Sequence, residues 1–421
     1  MAMKLNMHLV GKIAIALAAT LLSLVVLEVG ARWIVVTDPG LSSLYRVPHP
    51  VFGWVLEPRA SYRNTFLVDA PRVTYNSRGW RDVEHDFEKP PGVFRILVLG
   101  DSFMEAYSVE LNEAFHRRIA GLAKADGLNV ETINLGVGGY GTLQQYLVFR
   151  EVGRRYDPDL VLLGFHPAND VRDNSIALER LVTEGLKVDS RPFLAMSSTV
   201  DWTITQPDFE GARHRYIVAK ARRDSFPQRL VRQYASIRAT GDAINKIRNF
   251  GRSQTVGDGQ ALGNEQLTVR NDIYPTDPTN YPVSFCKEPP EVTSAWAATS
   301  RILDRLETEI RQTGAEFAVF SVPAIQNVSP GAIRLKWIRP DDPSRLCLAE
   351  APSHRRLKTV LDELGVHFIN LLPALREAHS KNAWLYGADF HWNAAGHELA
   401  AETVSEYLEA HNMVPAEGQV R

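Results

Sequence analysis

The chain has 421 residues, 45% hydrophobic and 23% charged, the composition of a globular protein long enough for one large domain with appendages. Its net charge of -2 removes the electrostatic case for a nucleic-acid partner, because such proteins present a basic face. The two cysteines, Cys286 and Cys347, are too few and too far apart for a zinc cluster; they are either one disulfide or two free thiols.

Taken in order, the first feature is the uncharged apolar run Ile13 to Leu27, preceded by Lys4 and Lys12 and followed by Glu28 and Arg32. That charge asymmetry predicts an anchor over residues 1–36 with its N-terminus in the cytoplasm and the rest of the chain on the far side. A cleaved signal peptide is the competing reading, although Val29-Gly30-Ala31 is a poor cleavage site. Residues 37–93 carry many Pro, Tyr, Trp and Arg residues without a long periodic segment, which predicts a stem and an irregular pre-domain of short strands. Within it, Val73 to Asp82 reads as a strand ending in an Asn-containing turn; Arg81 and Asp82 can bracket the later sheet or touch substrate, but a surface ion pair is the role expected of them.

The run Phe94-Arg95-Ile96-Leu97-Val98-Leu99 predicts a strand of a parallel sheet, buried on both faces. It stops at Gly100-Asp101-Ser102, the carboxyl end of a first strand, where open α/β sheets place their chemistry. Alone, the tripeptide equally fits a turn with a capping serine. A helix over Ala114 to Ala125 and a strand over Val130 to Leu135 follow, running into the glycine-rich turn Asn134 to Thr142. Such a turn lets backbone N–H groups face a ligand, and with no Gly-Lys-Ser/Thr after it the phosphate-loop pattern fails. After a helix over Leu143 to Arg154, a third strand over Asp159 to Gly164 leads to His166-Pro167-Ala168-Asn169-Asp170. There Asn169 can offer an amide hydrogen to a developing oxyanion and Asp170 can hold the loop, although both residue types are also common turn formers.

Residues 175–290 interrupt this rhythm and read as an insertion, a lid or one wall of a cleft. Its Arg222 to Arg252 portion has the pattern of an amphipathic helix with a basic face, either solvated or laid on an anionic surface, and a loop follows from Gly251 to Thr279. The rhythm resumes with helices over Thr293 to Thr313 and His354 to Leu364 and strands over Glu316 to Val322 and Val366 to Asn370. Five strands with intervening helices predict a three-layer α/β/α doubly wound parallel sheet, interrupted by the insertion. Its two parts are 94–174 and 291–412, with 413–421 as a tail.

Near the end stands Gly387-Ala388-Asp389-Phe390-His391-Trp392-Asn393-Ala394-Ala395-Gly396-His397, leading into a last helix. A serine nucleophile needs a base within hydrogen-bond reach and a third group to hold the base's tautomer. His391 Nε2 can take the Ser102 proton while Asp389 holds Nδ1. The spacing does not suit a metal pair on one helix face, and His397 is expected to pack against the helix start.

The ordered set Gly100-Asp101-Ser102, the Asn134 to Gly139 glycine turn, Asn169-Asp170 and Asp389-x-His391 resembles the SGNH/GDSL hydrolase superfamily, over roughly Phe94 to Tyr407 outside the insertion. The resemblance implies its flavodoxin-like SGNH fold. It also implies Ser102 as nucleophile and amide donor, and Gly139 and Asn169 as the other oxyanion donors, with Asp101 and Asp170 in support. In this chain Gly164 stands apart from Asn169, and Ala388 occupies the usual place of the acid. Asp389-Phe390-His391-Trp392 instead resembles the Asp-x-His-Trp block of membrane-associated SGNH proteins similar to alginate O-acetylation enzymes. That implies the bacterial envelope: a single-pass inner-membrane protein with its catalytic domain in the periplasm or outside.

These readings lead to a serine esterase that needs no cofactor and acts on an O-acyl ester, acetyl in the first instance, of a glycan or other cell-surface molecule. O-acyl transfer to a polysaccharide hydroxyl uses the same residues and is the alternative. A non-catalytic envelope or glycan-binding protein is the third reading.

Overall fold

The computed structural model describes residues 45–63, 71–183, 188–195, 202–223, 282–329, 346–387 and 389–415, with Lys12, Ile15, Ala16, Ala19, Thr20 and Ser23 near the N-terminus. Tyr45–Tyr216 with Gly257–Arg421 form one compact unit, and Met1–Leu44 with Ile217–Val256 another. In the second of these, Thr20 Oγ1 and Ser23 Oγ donate to the carbonyls of Ala16 and Ala19, one helical turn back. The predicted anchor lies almost wholly outside the described residues, as do the loop 251–279 and most of the basic helix. Among the described residues no helix is long and apolar enough to cross a membrane.

Five parallel strands carry the larger unit: β5 (Phe94–Leu99), β6 (Val130–Asn134), β7 (Leu160–Phe165), β10 (Glu316–Ser321) and β11 (His367–Ile369). They lie in the order β11-β10-β7-β5-β6. The register sets Val98 beside Leu162 and Asn134, and Leu162 beside Ala318. Every residue of β7 is buried, as its uninterrupted Leu-Val-Leu-Leu run requires at the centre of a sheet covered on both sides.

One face, with Leu97, Leu99, Val161, Leu163 and Val319, packs on α3 (Thr142–Glu151), α7 (Pro290–Thr313) and α9 (Pro352–Leu364). The opposite face, with Ile96, Val98, Leu160, Leu162 and Phe320, packs on α2 (Phe115–Ala125), α10 (Leu372–Ser380) and α11 (Ala394–Ala410). The predicted three-layer doubly wound sheet is therefore present. Its strand order reverses between β5 and β7, and the crevice beyond the carboxyl ends of those two strands is where such sheets bind ligands.

Ahead of the sheet, β1 (Arg46–His49) pairs antiparallel with β2 (Gly53–Leu56), and β3 (Ser61–Arg63) with β4 (Arg72–Thr74). The short strands expected there are present, and Trp54, Leu56, Val73, Tyr75 and Trp80 join the core beneath one sheet face. Asn76 makes the predicted turn, its side-chain oxygen accepting from the N–H groups of Arg78 and Trp80.

Arg81 and Asp82, expected at the surface, are buried at 1% and 5% exposure. Arg81 donates to the carbonyls of Glu105 and Val109, while Asp82 accepts from the Asn134 N–H at 2.9 Å and lies 3.2 Å from both His116 and His85. A charged pair is affordable inside because each member is met by groups from the sheet and its neighbouring turns.

In the insertion, β8 (Phe193–Ala195) pairs with β9 (Thr203–Thr205), and α6 runs over Phe209–Arg223. Cys286 and Cys347 are joined in a disulfide, which decides between the two readings of that pair.

Candidate active site

Strand β5 delivers the Gly100-Asp101-Ser102 turn to the crevice, where α1 (Ser102–Glu105) begins with Asp101 as its cap. Asp101 is fully buried; Oδ1 accepts the Phe103 N–H at 3.0 Å and Oδ2 accepts the Asn169 side-chain amide at 3.1 Å. One carboxylate thus ties the serine turn to α4 (Pro167–Asp173), which starts where β7 ends. Asn169 and Asp170 stand in this helix rather than in the loop expected for them. Pro167 at the first helical position needs no N–H partner there and closes β7 promptly.

Across the crevice, Gly387 N–H donates to the His391 carbonyl and Tyr386 bridges Trp392, so Asp389 and His391 sit on a tight hairpin ahead of α11. His391 Nε2 lies 2.7 Å from Ser102 Oγ. Its Nδ1 faces Asp389 Oδ2 at 3.2 Å, the Asp389 carbonyl at 3.1 Å and the Tyr107 hydroxyl at 3.2 Å. With the Nδ1 proton donated toward Asp389, Nε2 is left as the acceptor for the serine O–H. Ser108 Oγ donates to Asp389 Oδ2 at 3.0 Å.

Burial alone would push the His391 imidazole down, but the charge and hydrogen bond of Asp389, and then the charge of Asp101, lift it above its ordinary value. Burial would likewise raise Asp389, yet His391 and Ser108 bring it below the usual carboxylate range. The two shifts agree in direction: each partner favours the charged form of the other. His397 packs edge-on against Trp392, as expected, and burial drives it down to about 3.

The glycine turn leaves β6 beside α1. Its N–H groups are assigned one by one: Gly136 to Asn134 Oδ1, Val137 to the Gly100 carbonyl, Gly138 to Glu105 Oε2, Tyr140 to the Val137 carbonyl and Gly141 to Gln144 Oε1. Among the described residues none accepts from the Gly139 N–H, which leaves it, between Gly136 and Gly141, as the donor without an internal acceptor. Gly139 has φ +79°, a left-handed conformation that glycine adopts freely.

The Asn169 amide is oriented from both ends, its Oδ1 accepting from Arg172 Nη2 at 3.3 Å and its Nδ2 facing the Asp101 carboxylate. Since guanidinium only donates and carboxylate only accepts, the amide oxygen faces Arg172 and the amide nitrogen Asp101, with a second N–H beyond the one given to Asp101. Asp170 is buried; Oδ2 accepts the His166 N–H at 2.7 Å and Oδ1 the Gln145 side-chain amide at 2.9 Å, so it secures the start of α4. Burial and the Asp101 charge push its carboxyl well above the ordinary range.

Sequence reading missed Tyr107 and Ser108. They reach His391 and Asp389 because Ala106 adopts φ 54° and turns the chain back after α1. A left-handed alanine has no compositional signal, since such turns are ordinarily marked by Gly or Asn. Glu105 was also missed; its buried carboxylate accepts from Tyr75 at 2.7 Å and Gly138 at 2.6 Å. No group of side chains suited to holding a metal ion occurs among the described residues.

Residues 285–420 match the family described as ALGX: SGNH hydrolase-like domain, acetyltransferase AlgX. That segment carries Asp389 and His391 but not Ser102. No curated protein matches the chain. Similar solved structures include the acetyl xylan esterase AlAXEase, at 9% identity, 75% of this chain, 100% of that chain and TM-score 0.37. TesA gives 11%, 76%, 99% and 0.36. A catalytic mutant of Axe2, an acetylxylan esterase from Geobacillus stearothermophilus, gives 12%, 79%, 100% and 0.37. The family match makes the C-terminal third of the chain similar to the SGNH hydrolase-like domain of the acetyltransferase AlgX type, a likeness that covers the Asp389-x-His391 block.

Proposed function

We propose that the chain is a serine esterase of the bacterial envelope that removes an acyl group, acetyl in the first instance, from an oxygen ester on a glycan or other cell-surface molecule. The observation that carries this reading is the 2.7 Å approach of Ser102 Oγ to His391 Nε2, with Asp389 on the other ring nitrogen. Ser102 Oγ attacks the ester carbonyl as its proton passes to Nε2, and the carbonyl oxygen becomes an oxyanion. The Ser102 and Gly139 N–H groups and the Asn169 amide stabilise it, each donor being worth about 3 to 4 kcal/mol. The intermediate collapses, the alkoxide leaves with the proton from Nε2, and the acyl group stays on Ser102. Water then gives its proton to Nε2 and attacks the acyl-serine, releasing the carboxylic acid and restoring the serine hydroxyl.

A sugar hydroxyl in place of that water yields O-acyl transfer, and the ALGX description of the matched segment supports this as the second reading. The envelope assignment is supported by the apolar N-terminal run and by a disulfide, a bond that persists in oxidising compartments.

The test is full-length protein assayed with p-nitrophenyl acetate, with and without an oligosaccharide acceptor, beside fluorophosphonate labelling of wild type and Ser102→Ala. Release of acetate and labelling that depends on Ser102 support the esterase. Acetylated oligosaccharide as the main product replaces it by the transferase, and labelling that survives in Ser102→Ala removes the serine mechanism.

A further inference from the structure

We infer that Arg46 is a positioning residue of the oxyanion hole: its grip on the Gly138 carbonyl aims the Gly139 N–H at the oxygen that becomes charged during acylation of Ser102. This rests on the proposed role of Gly139 and extends it to a residue far outside the sheet.

Arg46 Nη2 donates to the Gly138 carbonyl at 2.8 Å. That carbonyl and the Gly139 N–H belong to the same peptide group, which is planar and trans, so the two point in opposite directions. A donor fixed on one side of the plane therefore fixes the aim of the N–H on the other. Glycine on both sides of this peptide supplies no side-chain barrier to its rotation, and without an external hold the plane is free to swing.

Preceding it, the Gly138 N–H is held by Glu105 at 2.6 Å. That second hold immobilises the preceding peptide and leaves the Gly138–Gly139 plane to Arg46. The location is right: a Cβ placed on Gly138 would stand 3.6 Å from Ser102 Cβ, and one on Gly139 would stand 3.4 Å from Arg46 Nη2. Arg46 is itself braced, its guanidinium lying 5.0 Å from the Trp54 ring centroid, while Trp54 packs edge-on against Tyr140 of the same turn. Among the described residues no carboxylate forms an ion pair with Arg46, so its hydrogen bond to Gly138 is not the by-product of a salt bridge.

The experiment compares full-length wild type, Arg46→Met and Arg46→Lys in p-nitrophenyl acetate turnover, inhibition by an aryl trifluoromethyl ketone, fluorophosphonate labelling and thermal melting. The ketone adds the serine and presents an oxyanion, so its affinity reads the hole without turnover. The expected result for Arg46→Met is a roughly 10- to 100-fold fall in kcat with KM held within about twofold and the inhibitor weakened in parallel. Labelling of Ser102 persists and melting is unchanged, and Arg46→Lys recovers part of the loss. Wild-type kcat and inhibitor affinity in Arg46→Met overturn the inference while leaving the serine mechanism standing. A loss of melting temperature with kcat and KM changed together, unrelieved by lysine, also overturns it, because Arg46 is then only structural. Wild type that neither turns over nor labels removes the serine reading itself, and this inference with it.

Discussion

His391 is held between a serine hydroxyl and three oxygens around Nδ1, and its environment sets the expected pH behaviour. A general base works in its neutral form, and Asp389 lifts the imidazole above its ordinary value against the opposing effect of burial. The rate constant kcat/KM should therefore rise with pH and reach half its plateau above pH ~6.5, the unperturbed imidazole value. Asp389→Asn, which removes the lifting charge, should move that midpoint down and lower kcat by about 10³- to 10⁴-fold, as losing the tautomer-holding acid does elsewhere. A wild-type midpoint below the unperturbed value would contradict the pairing. For stability the sign is the reverse. A raised imidazole contributes most below its unfolded value, and its share is lost as pH climbs through the folded one. At the same scale, Asn169→Ala should lower kcat by about 10²- to 10³-fold with little change in KM, measurable in steady-state kinetics.

Between elements, the tightest constraint is the seat of α1 against the glycine turn. A Cβ on Gly136 would lie 2.5 Å from Met104 Cβ and 2.9 Å from the backbone nitrogen of Glu105. Gly136→Ala must then displace the helix that begins with Ser102. It should lower stability by about 1 to 3 kcal/mol and reduce activity beyond what that loss explains, a result that denaturant melts beside kinetics would read. The Arg81-Asp82 segment locks the pre-domain to the carboxyl end of β6 through the Asn134 N–H. Asp82 is depressed below the usual carboxylate range because the charges and bonds of His116 and His85 outweigh its burial. Its contribution is present above the unfolded value and fades as pH falls through the folded one. Asp82→Ala takes the acceptor from His116 and the Asn134 N–H, while His85 keeps Glu131 at 2.6 Å, and should cost about 3 to 5 kcal/mol of unfolding free energy in denaturant melts. Sequence pattern made the strands legible, because Leu160 to Phe165 can be buried only in the middle of a sheet. It misread Arg81 and Asp82, because charge is a surface signal until the fold supplies partners.

For the molecule as a whole, the Cys286–Cys347 bond closes a separation of 61 residues. It pins the segment before α7 to the segment before α9, where Cys347 N–H also donates to the Ser284 carbonyl at 2.9 Å. In the chain-entropy limit such a closure is worth about 4 kcal/mol. Replacing both cysteines by serine should therefore lower the melting temperature by several degrees, and a reductant should do the same to wild type but not to the double mutant. An identical response of both proteins to the reductant would show that the bond carries no stability.

Sequence alone determined the alternation of strand and helix and the buried centre of the sheet, and singled out Ser102, Asp389 and His391 as candidates, because apolar periodicity and short motifs are local properties of a chain. Tertiary structure alone decided that Ser102 and His391 meet, that the two cysteines bond, and that between Asn134 and Gly141 every N–H except that of Gly139 is engaged. It also decided that Tyr107, Glu105 and Arg46 surround the site. Those relations depend on which strands become neighbours and which turns face one crevice, and they arise from packing between segments far apart in the chain.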